Sequence, residues 1–332
     1  MKSKIYIRAD GNSEIGLGHV IRSLALAEML KEEFRCTFAT RFLTDYINRE
    51  ARKVCDEVIK LPESEEHFDA FLAILSGDEI VVLDNYFFTT MYQQKIKDKG
   101  CKLVCIDDIH DTHFMADVVI NHSSSVLKSD YSVESYTTLC LGLNYALLRP
   151  AFFNTLQTQK LQKDSKTFFV CFGGSDFCDL TQQTLEVLLK YHYTVYAVIG
   201  DSNRNRDKLL SKYSHNNNVV LLHDLPAKEM AEVMQKSDMA IVPASSVLLE
   251  VWATKTPAIT GYFVDNQKEG CLHCVNNGWA LYVDMLHDYK TNLEKLLVTI
   301  DQTVCNKLRT ANAGLIKNPQ PLFLNVFKKL MK

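Results

Sequence analysis

His19 is the residue with the clearest chemical potential in this chain. It lies in the stretch Arg8 to Leu26, RADGNSEIGLGHVIRSLAL, directly behind Gly16 and Gly18. An apolar strand signal, Lys4 to Ile7, leads into the stretch, and an apolar helical run follows it. Glycines let backbone approach a ligand without a Cβ in the way. A helix N-terminus offers unpaired N–H groups and a partial positive charge, which suits an anion. An imidazole with a reference pKa of about 6.5 can accept a proton near neutral pH. The combination therefore suits proton transfer beside a phosphate. The spacing is neither that of a dinucleotide fingerprint nor that of a P-loop. A bare G-x-G-H also fits a glycine-rich turn with an incidental histidine.

Other polar groups follow apolar strand signals. In the first half these are Asp84-Asn85-Tyr86, Asp107-Asp108 and Asn121-His122. Each could cap a following helix, but three such clusters at equivalent strand ends, together with His19, predict one polar-lined pocket. In the second half, Gly173-Gly174-Ser175-Asp176 offers backbone donors to a phosphate, and Ser245-Ser246 opens a helix. Glu250 lies four residues beyond Ser246, on roughly the same helical face. There it could accept hydrogen bonds from a ribose. The plainer alternative is an N-cap serine and a solvated glutamate. Asn266 in Asp265-Asn266-Gln267 could grip a sugar or base, or cap the next helix.

The elements that must position these groups alternate. Strand signals at 4–7, 36–39, 57–61, 80–83, 103–106, 118–120 and 139–141 are separated by helical segments, notably 19–32, 42–54, 64–76 and 89–99. Leu148-Arg149-Pro150 breaks the pattern, and Gln157 to Lys166 reads as a linker. Strand signals resume at 168–172, 194–199, 219–222, 239–242, 258–262 and 280–283, again with helices between. Short buried strands alternating with helices predict parallel sheets covered on both faces. The fold class is thus α/β, with two Rossmann-like doubly wound domains, 1–150 and 151–332, facing a cleft. Two or three further helices close the second domain. Ligands in such sheets bind beyond the carboxyl ends of the strands.

The whole-chain numbers narrow the function classes. The 332 residues carry 37 Lys and Arg against 40 Asp and Glu, a net charge of −3. That gives no electrostatic case for nucleic acid. The N-terminus shows no secretory signal and no run of about 18 apolar residues occurs, so a cytoplasmic protein without a membrane span is expected. Of the ten cysteines, Cys271 and Cys274 flank His273, but one such pair without a second cluster is poor evidence for zinc. No metal and no cofactor are expected.

The stretches IGLGHVIRSLALA, LDNY, CIDD, NYALLRPAF, FGGSD, PASSVLLE and DNQ occur in order between residues 4 and 284. In this the chain resembles the PseG family, the UDP-2,4-diacetamido-2,4,6-trideoxy-β-L-altropyranose hydrolases of pseudaminic acid biosynthesis. The resemblance implies a glycosyltransferase-B-like architecture with UDP held mainly by the second domain. It implies that His19 is the catalytic base for the attacking water and that Glu250 holds the ribose. It also implies that Asn266 contacts the substrate and that Gly173, Gly174, Ser175, Ser245 and Ser246 form the phosphate side. Gly16, Gly18, Asp84 and Tyr86 complete the expected substrate site. The family commonly reads DHY where this chain has Asp84-Asn85-Tyr86, followed by Phe87 rather than glycine, so a related 2,4-diacetamido sugar stays open.

The expected reaction is hydrolysis of a UDP-sugar to UDP and free sugar by a monomer or weak oligomer. Departing UDP is a good leaving group, and water from the opposite face would invert the anomeric carbon. The alternatives are a UDP-sugar-dependent glycosyltransferase and a binding protein without turnover.

Overall fold

The structure, a computed structural model, describes residues 2–12, 16–154, 166–200, 203–223 and 225–331. The chain divides into two compact units. The first comprises Met1–Pro150 with Asn318–Lys332, the second Ala151–Lys317.

The first unit contains β1 (Lys4–Ala9), α1 (Gly18–Leu30), β2 (Arg35–Thr40), α2 (Asp45–Val54), β3 (Glu57–Lys60), α3 (His67–Ala73), β4 (Ile80–Asp84) and α4 (Thr90–Asp98). It continues with β5 (Lys102–Ile106), β6 (His113–Phe114), β7 (Val118–Asn121), β8 (Ser132–Val133) and β9 (Thr138–Leu141). Seven of these strands form one sheet in the order β3-β2-β1-β4-β5-β7-β9. Every pairing in it is parallel. The short strands β6 and β8, which the sequence does not announce, pair with each other beside it. All five residues of β4 are buried, as a strand covered by helices on both faces requires.

Pro150 opens α5 (Pro150–Asn154) instead of simply breaking the chain. Proline suits the first position of a helix, where an N–H would have no partner anyway. The expected linker, 157–166, lies almost wholly outside the described residues.

The second unit contains β10 (Thr167–Val170), α6 (Leu180–Leu188), β11 (Thr194–Ile199), α7 (Arg206–Tyr213), β12 (Val219–His223), α8 (Ala227–Lys236) and β13 (Met239–Pro243). Then come α9 (Ser246–Ala253), β14 (Ala258–Gly261), α10 (Lys268–Asn276), β15 (Leu281–Tyr282), α11 (Tyr289–Leu297) and α12 (Gln302–Asn312). Its parallel sheet runs β12-β11-β10-β13-β14-β15.

Both sheets reverse their strand order at the same kind of place. β1 sits between β2 and β4, and β10 sits between β11 and β13. The loops leaving β1 and β4, and those leaving β10 and β13, flank the topological switch points where open α/β sheets hold ligands.

The last helix, α13 (Gln320–Leu330), departs from the expected division, which gave 151–332 to one domain. Its apolar face belongs to the first unit. Phe323 and Phe327 are fully buried there, with ring centroids 5.8 Å from Tyr145 and 6.1 Å from Phe34. Gln320 Nε2 donates to the Met29 carbonyl at 3.0 Å, and Lys328 pairs with Glu33. The sequence shows an amphipathic helix but not which core receives its stripe.

Emptying that contact has a calculable cost. Phe327→Ala should destabilise the protein by about 3–5 kcal/mol, the usual range for a buried phenylalanine. Urea unfolding followed by far-UV circular dichroism measures this. A loss below about 1 kcal/mol, the range of exposed substitutions, would show that α13 does not depend on this contact.

Candidate active site

Helix α1 begins at Gly18, one residue before His19. Gly16, at φ +80°, takes a left-handed turn that side chains disfavour, and its N–H donates to the Asn12 carbonyl at 2.9 Å. The N-cap residue of α1, Leu17, supplies no side-chain cap, and the helix's first turn carries no acidic residue. Its inner face is apolar except at His19, Arg22 and Ser23, all buried. Those three meet Asp84, the last residue of β4.

Asp84 is fully buried and uses both oxygens. Oδ1 lies 2.7 Å from His19 Nδ1 and accepts from Arg22 Nη2 at 2.6 Å. Oδ2 accepts from Arg22 Nε at 2.7 Å and from Ser23 Oγ at 3.0 Å. Arg22 Nη1 reaches on to Asp108 at 2.8 Å. Tyr86 donates to Asp108, and its ring meets the His19 imidazole edge-on, centroids 4.8 Å apart.

Burial alone would raise the pKa of Asp84. The Arg22 charge and the contact with His19 outweigh it and hold the carboxyl at about 2. Asp108 is likewise pulled down by Arg22 against the effect of burial. A nitrogen 2.7 Å from an ionised carboxylate needs a proton between the two atoms. The 2.7 Å contact with Asp84 favours the tautomer with the proton on Nδ1 and the lone pair on Nε2, although Arg22 Nη2 also lies 3.0 Å from Nδ1. This is how a carboxylate orients a histidine that acts through its far nitrogen.

A second buried network supports the glycine loop from below. The Asp10 carboxylate accepts from Arg8 Nη1 and Nη2 at 2.6 and 2.8 Å, from Arg41 Nε at 2.6 Å and from the Arg41 N–H at 2.7 Å. Asn85 grips the Asp10 backbone from both sides. Its Oδ1 accepts the Asp10 N–H at 2.7 Å, and its Nδ2 donates to the Asp10 carbonyl at 3.3 Å. The departure from DHY thus falls on a side chain that holds the loop's starting point. His67, beside Arg8 at 3.2 Å, is kept neutral with a pKa of about 4, by burial and by the arginine charges.

The remaining expected clusters divide. Asp108 joins the His19 network, but Asp107 accepts from the His110 N–H and the Tyr131 hydroxyl, both at 2.9 Å, and braces a loop. Asn121 bonds the same Tyr131 at 2.9 Å. His122 Nδ1 accepts the Leu147 N–H at 3.1 Å, which gives it a supporting role. Arg22, the residue that ties the network together, has no assigned role in the sequence reading. Its signal was present: an arginine three residues after a histidine in an otherwise apolar helix shares its face.

In the second unit the expected residues occupy neighbouring strand exits. Gly173, Gly174 and Ser175 follow β10. Ser245 and Ser246 follow β13, and Asn266 lies in the turn after β14. Asp176 turns inward and accepts the N–H groups of Leu180 and Thr181, each at 2.9 Å, so the start of α6 is already capped. Helix α9 differs, since its N-cap residue Ser245 is extended and makes no side-chain cap. Glu250 is not a solvated side chain. It is 6% exposed, and its charge reaches Cys171 at the end of β10. Asn266 is exposed within a single 3-10 turn ahead of α10.

No protein-family profile matches the chain. The chain is similar to a UDP-sugar hydrolase. It shares 27% identity over 286 residues with the UDP-2,4-diacetamido-2,4,6-trideoxy-β-L-altropyranose hydrolase of Campylobacter jejuni, covering 84% of this chain and 98% of that protein. The resemblance carried by the motifs therefore extends over most of the chain. Solved structures share the fold at low identity. MurG of Acinetobacter baumannii matches with a TM-score of 0.67 at 13% identity, covering 98% of this chain and 99% of its own. UGT2 of Phytolacca americana, solved with UDP-2-fluoro-glucose and pterostilbene, matches with 0.66 at 11%, covering 99% and 100%. The fold is that of the glycosyltransferase-B proteins, two doubly wound α/β units in one chain. Among the described residues, no group of three His, Cys, Asp or Glu side chains could hold a metal ion. No described helix is long and apolar enough to cross a membrane.

The buried pair has a pH signature. The folded-state pKa of Asp84, about 2, lies below the ordinary 3.8. Its contribution to stability is therefore complete above about pH 4 and is lost as pH falls towards 2. Asp84→Asn should cost about 3–5 kcal/mol at pH 7, because Arg22 stays buried with one carboxylate fewer. It should also flatten the stability profile between pH 4 and pH 2. Urea titrations at pH 7 and pH 3 measure both effects, and an unchanged acid slope would contradict the assignment.

Proposed function

We propose that this protein is a UDP-sugar hydrolase that releases UDP and a free 2,4-diacetamido-2,4,6-trideoxy hexose. The observation that carries the reading is the buried contact between His19 Nδ1 and Asp84 Oδ1, at 2.7 Å. In this reading it leaves Nε2 to act as base at the switch point of the first sheet. The similarity to the Campylobacter hydrolase supports the substrate class. Two rings of charge-matched residues, around Asp84 and around Asp10, support a catalytic loop held rigidly.

In this reading Nε2 of His19 takes a proton from water as the water oxygen attacks the anomeric carbon. The bond from that carbon to the UDP oxygen breaks, and UDP leaves with the electron pair. The new C–O bond forms on the face opposite the old one, so configuration inverts. Asp84 stays ionised throughout and stabilises the imidazolium that forms, while Arg22 keeps it ionised. UDP is assigned to the second unit, with Glu250 on the ribose. The phosphates are assigned to the start of α9 and the Gly173–Ser175 backbone. Asn266 is assigned to the sugar. In this reading the protein acts on its UDP-sugar without a metal or cofactor, as a monomer or weak oligomer.

Incubation with the UDP-trideoxy sugar and no acceptor should release UDP. Release only when an acceptor alcohol is added would instead identify a glycosyltransferase, and tight binding without release a binding protein. His19→Asn should lower kcat by about 10²–10⁴-fold with little change in KM, the pattern of a group acting in the transition state. A raised KM at intact kcat would make His19 a binding residue. Turnover should persist in EDTA; loss restored by a divalent ion would refute the metal-free mechanism. Glu250→Ala should weaken UDP by about 1–3 kcal/mol by calorimetry. Unchanged affinity in the folded variant would move UDP elsewhere.

A further inference from the structure

Phe177 is 64% exposed, and the backbone around it is arranged to keep it so. Gly173, Asp176 and Asp179 have φ of +83°, +41° and +54°. Two aspartates in the left-handed region are an unfavourable arrangement that surrounding structure must enforce. The enforcement is visible. The Asp176 carboxylate points inward, holding the Leu180 and Thr181 N–H groups, so the next side chain emerges outward. The exits of β10 and β11 are in close backbone contact just before it: a Cβ on Gly200 would lie 2.4 Å from the Gly174 Cα.

The Phe177 ring rests edge-on against Phe263, with centroids 5.2 Å apart at 84°. Phe263 follows β14 and packs on the core of the second unit. In the sheet, β13 lies between β10 and β14. The aromatic pair therefore bridges the loops on either side of β13, whose own exit carries Ser245, Ser246 and, on α9, Glu250. Single exposed apolar residues are ordinary. A phenylalanine held out by a strained backbone, at the switch point where ligands bind, is a different case.

We propose that Phe177, backed by Phe263, is the wall that recognises the methyl-bearing side of the sugar. This rests on the reading of the protein as a hydrolase of UDP-linked trideoxy sugars. Such a sugar presents a methyl at C6 where common hexoses carry a hydroxymethyl, and two acetamido methyls besides. An apolar ring favours each of these methyls over a hydrated hydroxyl. A one-carbon apolar difference typically gives about 10–200-fold discrimination.

The test compares wild type, Phe177→Ala and Phe177→Tyr. Each is assayed with UDP-2,4-diacetamido-2,4,6-trideoxy-β-L-altropyranose and with UDP-N-acetylglucosamine, and titrated with UDP by calorimetry. Phe177→Ala should leave UDP affinity unchanged and lower kcat/KM for the trideoxy sugar by about tenfold or more, narrowing the preference over UDP-N-acetylglucosamine. Phe177→Tyr should recover most of the loss. Unchanged kcat/KM, or an equal loss of UDP affinity, overturns the proposal; the second result would place the ring on uridine. If wild type shows no turnover, the comparison is made by calorimetry. Tighter binding of the trideoxy nucleotide than of UDP, lost in Phe177→Ala, would retain the wall while the hydrolase reading falls. No such margin in wild type would remove both.

Discussion

A buried guanidinium governs the first unit. Arg22 lies on the inner face of α1, and a charge taken out of water needs partners of opposite sign. It finds them in Asp84 at the end of β4 and Asp108 just beyond β5. Burial opposes its charge, and the two carboxylates overcome that opposition and raise its pKa further. A buried pair of this kind is weak evidence for net stability, since desolvation consumes most of the attraction. Its value here is positional. It sets the rotation of α1 against the sheet, and His19, one helical turn before Arg22, is carried to the same carboxylate.

The neighbouring network around Asp10 solves a related problem one strand away. Arg8 is fully buried inside β1, where its fork meets Asp10 and its plane lies near the rings of Phe87 and Phe88. Asp10 begins the glycine loop, so the charge that satisfies Arg8 also fixes where the loop departs. Asn85 then joins this network to Asp84 through adjacent residues of one strand end. Two sets of charges, each too costly to leave unpaired, thus converge on the few residues that precede and follow the loop.

The second unit repeats the topology with different contents. The exits of β10 and β13 correspond to those of β1 and β4, but they carry glycines, serines and backbone donors instead of a buried ion network. Asp176 closes the start of α6 from within, whereas Ser245 at the start of α9 makes no side-chain cap. One fold is therefore used twice, once to orient an imidazole and once to present neutral hydrogen-bond donors beside a buried glutamate.

Much of this was legible in the amino-acid order alone. Fully buried strands such as β4 and β13 announce themselves as short apolar runs, because a parallel strand covered on both faces has no polar side. Glycine turns and polar strand ends mark where a ligand site lies, since topology confines such sites to the carboxyl edge. What sequence could not supply was the identity of partners across distance. Asp84 and Asp107 look alike as strand-end aspartates, yet one meets Arg22 and the other a tyrosine and a loop. Asp176, read as part of a phosphate-facing turn, points inward as a cap, and Glu250 is buried where a solvated side chain was the plainer alternative. The closing helix gives its stripe to the first unit because Phe34 and Tyr145 line the vacancy that Phe323 and Phe327 fill. Local order determines which residues lie on one face of one element. Only the packed structure decides which face meets which, because that choice belongs to the burial of apolar area and the pairing of charge between elements far apart in the chain.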